Sequence, residues 1–209
     1  MLLAILLGVS ATTGFAQLKW DVKAGLSLSN LTQLDGGAKP GYTIGIGADY
    51  AFNKSWSLQS GINFTGKGAK ETEYEDGIKE HYKIFSHYIE VPILAAFKIP
   101  VTEDVKVVIN AGPYLAAGIG GKAEYEFYTA AGEMDLFKKE KGEEKALMKR
   151  FDTGLQYGVG AELNEHFLVS LQGQCGFISP FNEPYDRWFS DDGKSPKNLS
   201  FTLSVGYRF

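Results

Sequence analysis

Leu199-Ser200-Phe201-Thr202-Leu203-Ser204-Val205-Gly206-Tyr207-Arg208-Phe209 alternates without a break, apolar residues on the odd numbers and small or polar ones on the even. A period of two sustained over this length is a β-strand with one apolar and one polar face. Tilted strands of about 9–11 residues are what cross a hydrocarbon layer as staves of a closed barrel. The sequence holds no run of about eighteen apolar residues, so no helix of it spans a bilayer.

Working outward from that stretch, the same alternation recurs over Leu18–Asn30, Tyr42–Phe52, Trp56–Thr65, Tyr88–Lys98, Lys106–Ile119, Arg150–Leu163 and Phe167–Phe177. With the terminal segment this makes an even number of strands. The linkers alternate in length. Asn53-Lys54-Ser55, Ile99–Val105 and Asn164-Glu165-His166 are short, whereas Leu31–Gly41, Gly66–His87, Gly120–Lys149 and Ile178–Asn198 are long. Short periplasmic turns alternating with long external loops describe an all-β, eight-stranded antiparallel up-and-down transmembrane β-barrel with both termini on the periplasmic side.

Charge is sorted by parity. Trp20, Val22, Ala24, Leu26 and Leu28 share one face with no ionised neighbour, as do Ile89, Val91, Ile93, Ala95 and Phe97. The opposite parity collects Lys19, Asp21, Lys23, Asp49, Glu90, Lys98, Lys106, Arg150, Asp152, Glu162 and Arg208, interleaved with glycines. A soluble, lipocalin-like barrel would turn the apolar parity inward. Three features favour the reverse. Trp20, Tyr42, Tyr50, Phe52, Trp56, Tyr207 and Phe209 sit near strand ends on the apolar parity, where interfacial girdles belong. The glycine-rich polar face suits the narrow interior of eight strands. The polar set is also nearly balanced in sign, as buried charges must be. Pro92 and Pro113 each remove a ladder donor, and β-bulges are expected there.

The chain has 209 residues, 44% of them hydrophobic, and a formal charge of −4, which fits one domain and excludes the basic profile of a nucleic-acid binder. Met1–Val9 is densely apolar but too short to span, and Gly14-Phe15-Ala16 offers small residues where a signal peptidase reads. Residues 1–16 are therefore expected to be a signal peptide and residues 17–209 the barrel, exported through the periplasm. No Lys or Arg precedes the apolar run, the one departure from the usual pattern. No Cys follows Ala16 to carry a lipid anchor, and a lone Cys175 forms no intramolecular disulfide.

Several stretches resemble the PorT-like outer-membrane β-barrel family of the Bacteroidetes. They are Val22-Lys23-Ala24-Gly25-Leu26-Ser27-Leu28-Ser29-Asn30-Leu31, Pro40-Gly41-Tyr42-Thr43-Ile44-Gly45-Ile46, Tyr88-Ile89-Glu90-Val91-Pro92-Ile93-Leu94, Ala111-Gly112-Pro113-Tyr114, and Arg150-Phe151-Asp152-Thr153-Gly154-Leu155 followed by Gly158-Val159-Gly160. The resemblance runs through the whole mature chain. It implies a bacterial outer-membrane location, an eight-stranded barrel embedded in outer-membrane lipid and, through Tyr207-Arg208-Phe209, a carboxyl-terminal signal for the barrel-assembly machinery. It supplies a location rather than an activity.

Glu90, Arg150, Asp152 and Arg208 fall on the inward parity and are expected to form a structural ion-pair network that plugs the lumen; a gated proton or ion path is the alternative use of such groups. Ser86, His87, His81 and Glu80 raise an outer-leaflet hydrolase, but adjacent strand residues face opposite ways, so Ser86 and His87 make a poor nucleophile and base. His166 is expected to be a solvated turn residue. Three scattered histidines and one cysteine show no metal-ligand spacing, and Asp191-Asp192-Gly193 is too little for a calcium loop, so no cofactor or metal is expected. The charged segment Gly120–Lys149, with Tyr125, Phe127 and Tyr128, reads as an extended hairpin or a partner-binding protrusion. Phe181, Tyr185, Trp188 and Phe189 read as headgroup anchors, a lid over the mouth or a docking surface. The sequence thus points to a non-enzymatic anchor presenting external loops to a possible protein partner. A small-solute channel is second.

Overall fold

The computed structural model describes residues 18–32, 37–75, 78–127, 130–139, 142–183, 185–188, 190 and 193–209, with backbone alone for 71–82, 125–131 and 188. The expected signal peptide, residues 1–16, lies outside them, as do Tyr128, Phe189, Asp191 and Asp192.

The strands are β1 (Leu18–Leu31), β2 (Lys39–Ala51), β3 (Trp56–Glu75), β4 (Ile78–Pro100), β5 (Val105–Phe127), β6 (Ala130–Asp135), β7 (Phe151–Leu163), β8 (Phe167–Gly176) and β9 (Asn198–Arg208). All pairings are antiparallel neighbours: β1 pairs with β2 and β9, and a β4–β5 pairing joins the two halves, so eight strands close a ring and β6 stands outside it on β5 alone. Closure satisfies every ladder group that a lipid-facing edge would leave open.

Parity decides the two faces. Leu26 is 75% exposed and Val205 61%, whereas their polar neighbours Ser27 and Ser204 are 2% and 6%. Asp21, Asp49, Glu90, Asp152, Glu162 and Arg208 are all buried inside. The soluble alternative, with the apolar side inward, is excluded by this arrangement. At the short-turn end the outer wall carries an aromatic girdle, with ring centroids of Trp56 and Phe97 at 4.9 Å, Tyr50 and Phe52 at 5.5 Å, and Tyr207 and Phe209 at 5.4 Å. The turn between β7 and β8 has positive φ at both Asn164 and Glu165, the twist a tight hairpin needs. His166 is not merely solvated there: it stacks on Tyr207 at 5.5 Å, and its Nδ1 lies 2.9 Å from the Arg208 carbonyl.

Two expectations are corrected. Gly66–His87 is not a loop, because β3 and β4 pair continuously out to Glu75↔Ile78; Gly120–Lys149 begins as a hairpin, as expected, with β6 as its second arm. The prolines cause no bulge. Register is the same on both sides of Pro92 and Pro113, with a few pairs missing and the Pro92 carbonyl taken by Ser60 Oγ at 2.8 Å. The register shift falls instead at His87/Tyr88, opposite Gly118–Gly120.

Candidate functional site

The lumen is built in layers. Nearest the short turns, Asp49 Oδ2 receives Lys98 Nζ at 2.7 Å and Arg208 Nη2 at 3.1 Å, while Glu162 Oε1 lies 3.0 Å from Lys98 Nζ and 2.6 Å from Arg208 Nη1. Each cation bridges both acids, so the four form a closed, neutral ring. Its members come from β2, β4, β7 and β9, every second strand of the barrel. Alternation along each strand and stagger between strands bring alternate staves to one level. Gln59 Nε2 donates to Asp49 Oδ2 and Asn110 Nδ2 donates to Gln59 Oε1, both at 2.9 Å.

Above this ring lies a chamber of about 110 Å³ lined by amides and hydroxyls, among them Asn63, Asn110, Gln156, Gln172 and Ser204. Its far end is a second cluster of different composition. Lys67 Nζ meets Glu90 Oε1 at 2.6 Å, both side chains being 2–3% exposed. Glu90 Oε2 accepts from Gln174 Nε2 at 3.2 Å and Thr65 Oγ1 at 3.3 Å. Asp152 Oδ2 accepts from Tyr114 Oη at 3.0 Å and Asn198 Nδ2 at 2.9 Å. The Lys67 ammonium lies 5.0 Å from the Tyr114 ring and 5.7 Å from that of Tyr88, within cation–π range.

An apolar lid closes the long-loop end. Leu136, Phe137, Leu147, Met148, Phe181 and Tyr185 come from the two longest loops and pack on Tyr88, Tyr114 and Ile84 of the wall. Phe137 meets Tyr88 edge-on at 6.0 Å, and a Cβ at Gly118 would stand 2.3 Å from the Phe137 ring, so glycine is what admits this close approach. Met148 bridges to Phe181, Lys149 N donates to Pro180 O at 2.7 Å, and Tyr185 Oη donates to Glu143 Oε2 at 2.7 Å, which makes one body of the two loops. Of the readings for the last loop, Phe181 and Tyr185 serve as lid.

Of the four expected plug residues, Glu90 and Asp152 share the upper cluster, and Arg208 belongs to the lower ring. Arg150 joins neither. It is exposed, donates to the carbonyls of Gly118 at 2.8 Å and Phe137 at 3.2 Å, and covers the Phe137 ring at 5.4 Å. The reason is local: β7 begins at Phe151, so alternation does not reach Arg150. Lys67 is absent from the expected set because it falls in the segment Gly66–His87 that reads as a long loop; inward parity running on from Asn63 and Thr65 would have found it. Ser86 and His87 do separate to opposite faces. Ser86 Oγ donates inward to Lys67 O at 3.2 Å, and His87 Nδ1 lies outside, 3.3 Å from Tyr42 Oη.

Residues 11–182 match a family model described as the outer membrane protein beta-barrel domain. The chain belongs to that family. This outer-membrane β-barrel protein resembles Ail, the attachment invasion locus protein of Yersinia pestis, at 17% identity over 95% of this chain and 100% of that one, with a TM-score of 0.43. It also resembles the outer membrane enzyme PagL, at 15% identity over 89% and 97% with a TM-score of 0.48, and Neisserial surface protein A, at 13% over 92% and 97% with a TM-score of 0.43. No curated protein sequence matches it. The outer membrane is thus the location of the chain.

Proposed function

We propose that this protein is a non-conducting, non-enzymatic anchor that carries a β-sheet platform above the outer membrane for a protein partner, with Glu90, Asp152 and Arg208 serving structurally in the lumen. The observation that carries the reading is strand length. About 9–11 residues cross the membrane, yet β3 has 20 residues and β4 and β5 have 23 each, and their outer halves continue with β6 as a four-stranded projection. Beneath it the lumen is blocked by the lid, the Lys67–Glu90 pair and the four-charge ring in series, an arrangement that favours anchorage over passage. The PorT-like motifs support placement in that branch of the family. The unbroken alternation of β9, with Phe201, Leu203, Val205 and Tyr207 on its outer face, supports recognition of this strand by the barrel-assembly machinery.

The test has two arms. In planar bilayers the intact protein stays silent at every voltage; stepwise conductance overturns the anchor reading in favour of a small-solute channel. Replacing residues 125–132 by a two-residue Asn-Gly turn, which keeps the hairpin closed, abolishes capture of a specific partner from solubilised outer membranes while the barrel still folds. Unchanged capture moves the contact away from this hairpin.

A further inference from the structure

On the outer wall of β2, β3 and β4, just above the lipid-facing band, the side chains change character within a few residues. Ile44 and Ile62 are exposed apolar groups. Next come four rings in mutual contact: Tyr42 and Phe64 at 5.8 Å, Phe64 and His87 stacked at 5.6 Å, Phe85 and His87 edge-on at 4.8 Å, and Tyr42 and Phe85 at 6.5 Å. Above the rings the wall turns basic. Lys70 and Lys83 face each other across the β3–β4 ladder, and Lys122 stands opposite Phe85.

Lys39 joins them through a backbone irregularity. Between the Ala38↔Ala69 and Tyr42↔Gly66 pairs, β2 has one residue more than β3, and this turns Lys39 from the inward to the outward parity. Its side chain crosses Gly68, where a Cβ would lie 2.8 Å from Lys39 Cδ, and its ammonium sits 4.8 Å over the Phe85 ring while donating to Ile84 O at 3.3 Å.

Among the described residues, the carboxylates on this face are too few for the ammonium groups. Lys122 is ion-paired with Glu133, and Asp135 with Lys138 at 2.9 Å. Glu124 stands opposite Lys83 and is also the acid whose charge acts on Lys39, so it serves two cations. Like charges directly opposite on adjacent strands, as at Lys70 and Lys83, destabilise a sheet. A polyanion seated among them removes that repulsion.

We propose that Lys39, Lys70 and Lys83, above the Tyr42–Phe64–Phe85–His87 patch, form a docking site for the phosphate-bearing headgroup of an outer-leaflet lipid, whose acyl chains lie along Phe64, Ile62 and Ile44. The lipid, rather than a soluble anion, follows from continuity: cations, aromatic rings and apolar wall succeed one another in the order of headgroup, interface and chain. The long-loop end is the external one in barrels of this build, which sets the site in the outer leaflet.

The experiment measures how much diphosphorylated glucosamine-disaccharide lipid the full chain retains from mixed nanodiscs, against phosphatidylcholine, by mass spectrometry of the intact complex. The native protein enriches the phosphorylated lipid. Exchange of Lys39, Lys70 and Lys83 to Ala lowers enrichment about fivefold per lysine removed, and exchange of the same three to Arg restores it. Lys194→Ala with Lys197→Ala, on another loop of the same end, changes nothing. Folding of each variant is read from its heat-dependent gel migration. Undiminished enrichment in the triple Ala variant overturns the site, as does equal loss in the Lys194/Lys197 control; displacement of the lipid by inorganic phosphate alone overturns the lipid assignment.

Discussion

The two ends of the lumen bury charge in different ways. At the short-turn end, two acids and two bases alternate in a ring, and each group touches both of its opposites. At the long-loop end, Lys67 has one acid at contact distance, and Asp152 nearby is held by the neutral donors Tyr114 and Asn198. Removing charge from water costs several kcal/mol per ion unless partners remain in place. The ring is therefore redundant: any one member can be lost while the rest stay paired. The upper cluster has no second ion pair in reserve, and on its outer side it borders an apolar lid.

That contrast can be broken most severely at Lys67. Lys67→Ala leaves Glu90 buried with only neutral donors, and with the charge of Asp152 acting nearby. The expected loss is about 3–5 kcal/mol, measured by urea unfolding in lipid bilayers, and Lys67→Met with Glu90→Gln recovers most of it. Arg208→Ala is milder, about 1.5–3 kcal/mol, because Lys98 still bridges Asp49 and Glu162. A larger loss from Arg208→Ala than from Lys67→Ala would reverse the ranking of the two ends.

The smallest effect lies just outside the ring, on the exposed turn. The Lys19 ammonium, bonded at 3.1 Å, and then Lys106 hold the Glu165 carboxyl below its ordinary value of 4.5. With the folded value depressed, its contribution is present above that ordinary value and fades as pH falls through the lower, folded one. Solvent screening limits it to within about 0.5 kcal/mol. Glu165→Gln should flatten only this acid-side slope; an effect as large as that of Arg208→Ala would show that the turn, not the ring, secures this end.

Period-two alternation made the barrel legible from Leu199–Phe209 outward, because lipid and lumen act on opposite faces of each strand. It placed Glu90, Asp152 and Arg208 inside for the same reason. Alternation failed where the outer face left the lipid. Beyond Thr65, the residues Lys70-Glu71-Thr72-Glu73 are polar on both parities, so the strand continues without its signature, and only Asp76-Gly77 marked a hairpin. The lid was legible only in its last-loop half, Phe181 and Tyr185. Leu136 and Phe137 meet Phe181 and Tyr185 from loops far apart in the chain, a contact that no local pattern encodes.

The four-charge ring also has a chronology. Asp49, Lys98 and Glu162 stand on β2, β4 and β7, whereas Arg208 stands on β9, the strand that closes the barrel on β1. Until β9 docks on β1, the two carboxylates of the ring share the single Lys98 ammonium. Docking of Arg208 balances the ring in the same motion that joins β9 to β1, so closing the wall and neutralising this layer of the lumen are one event.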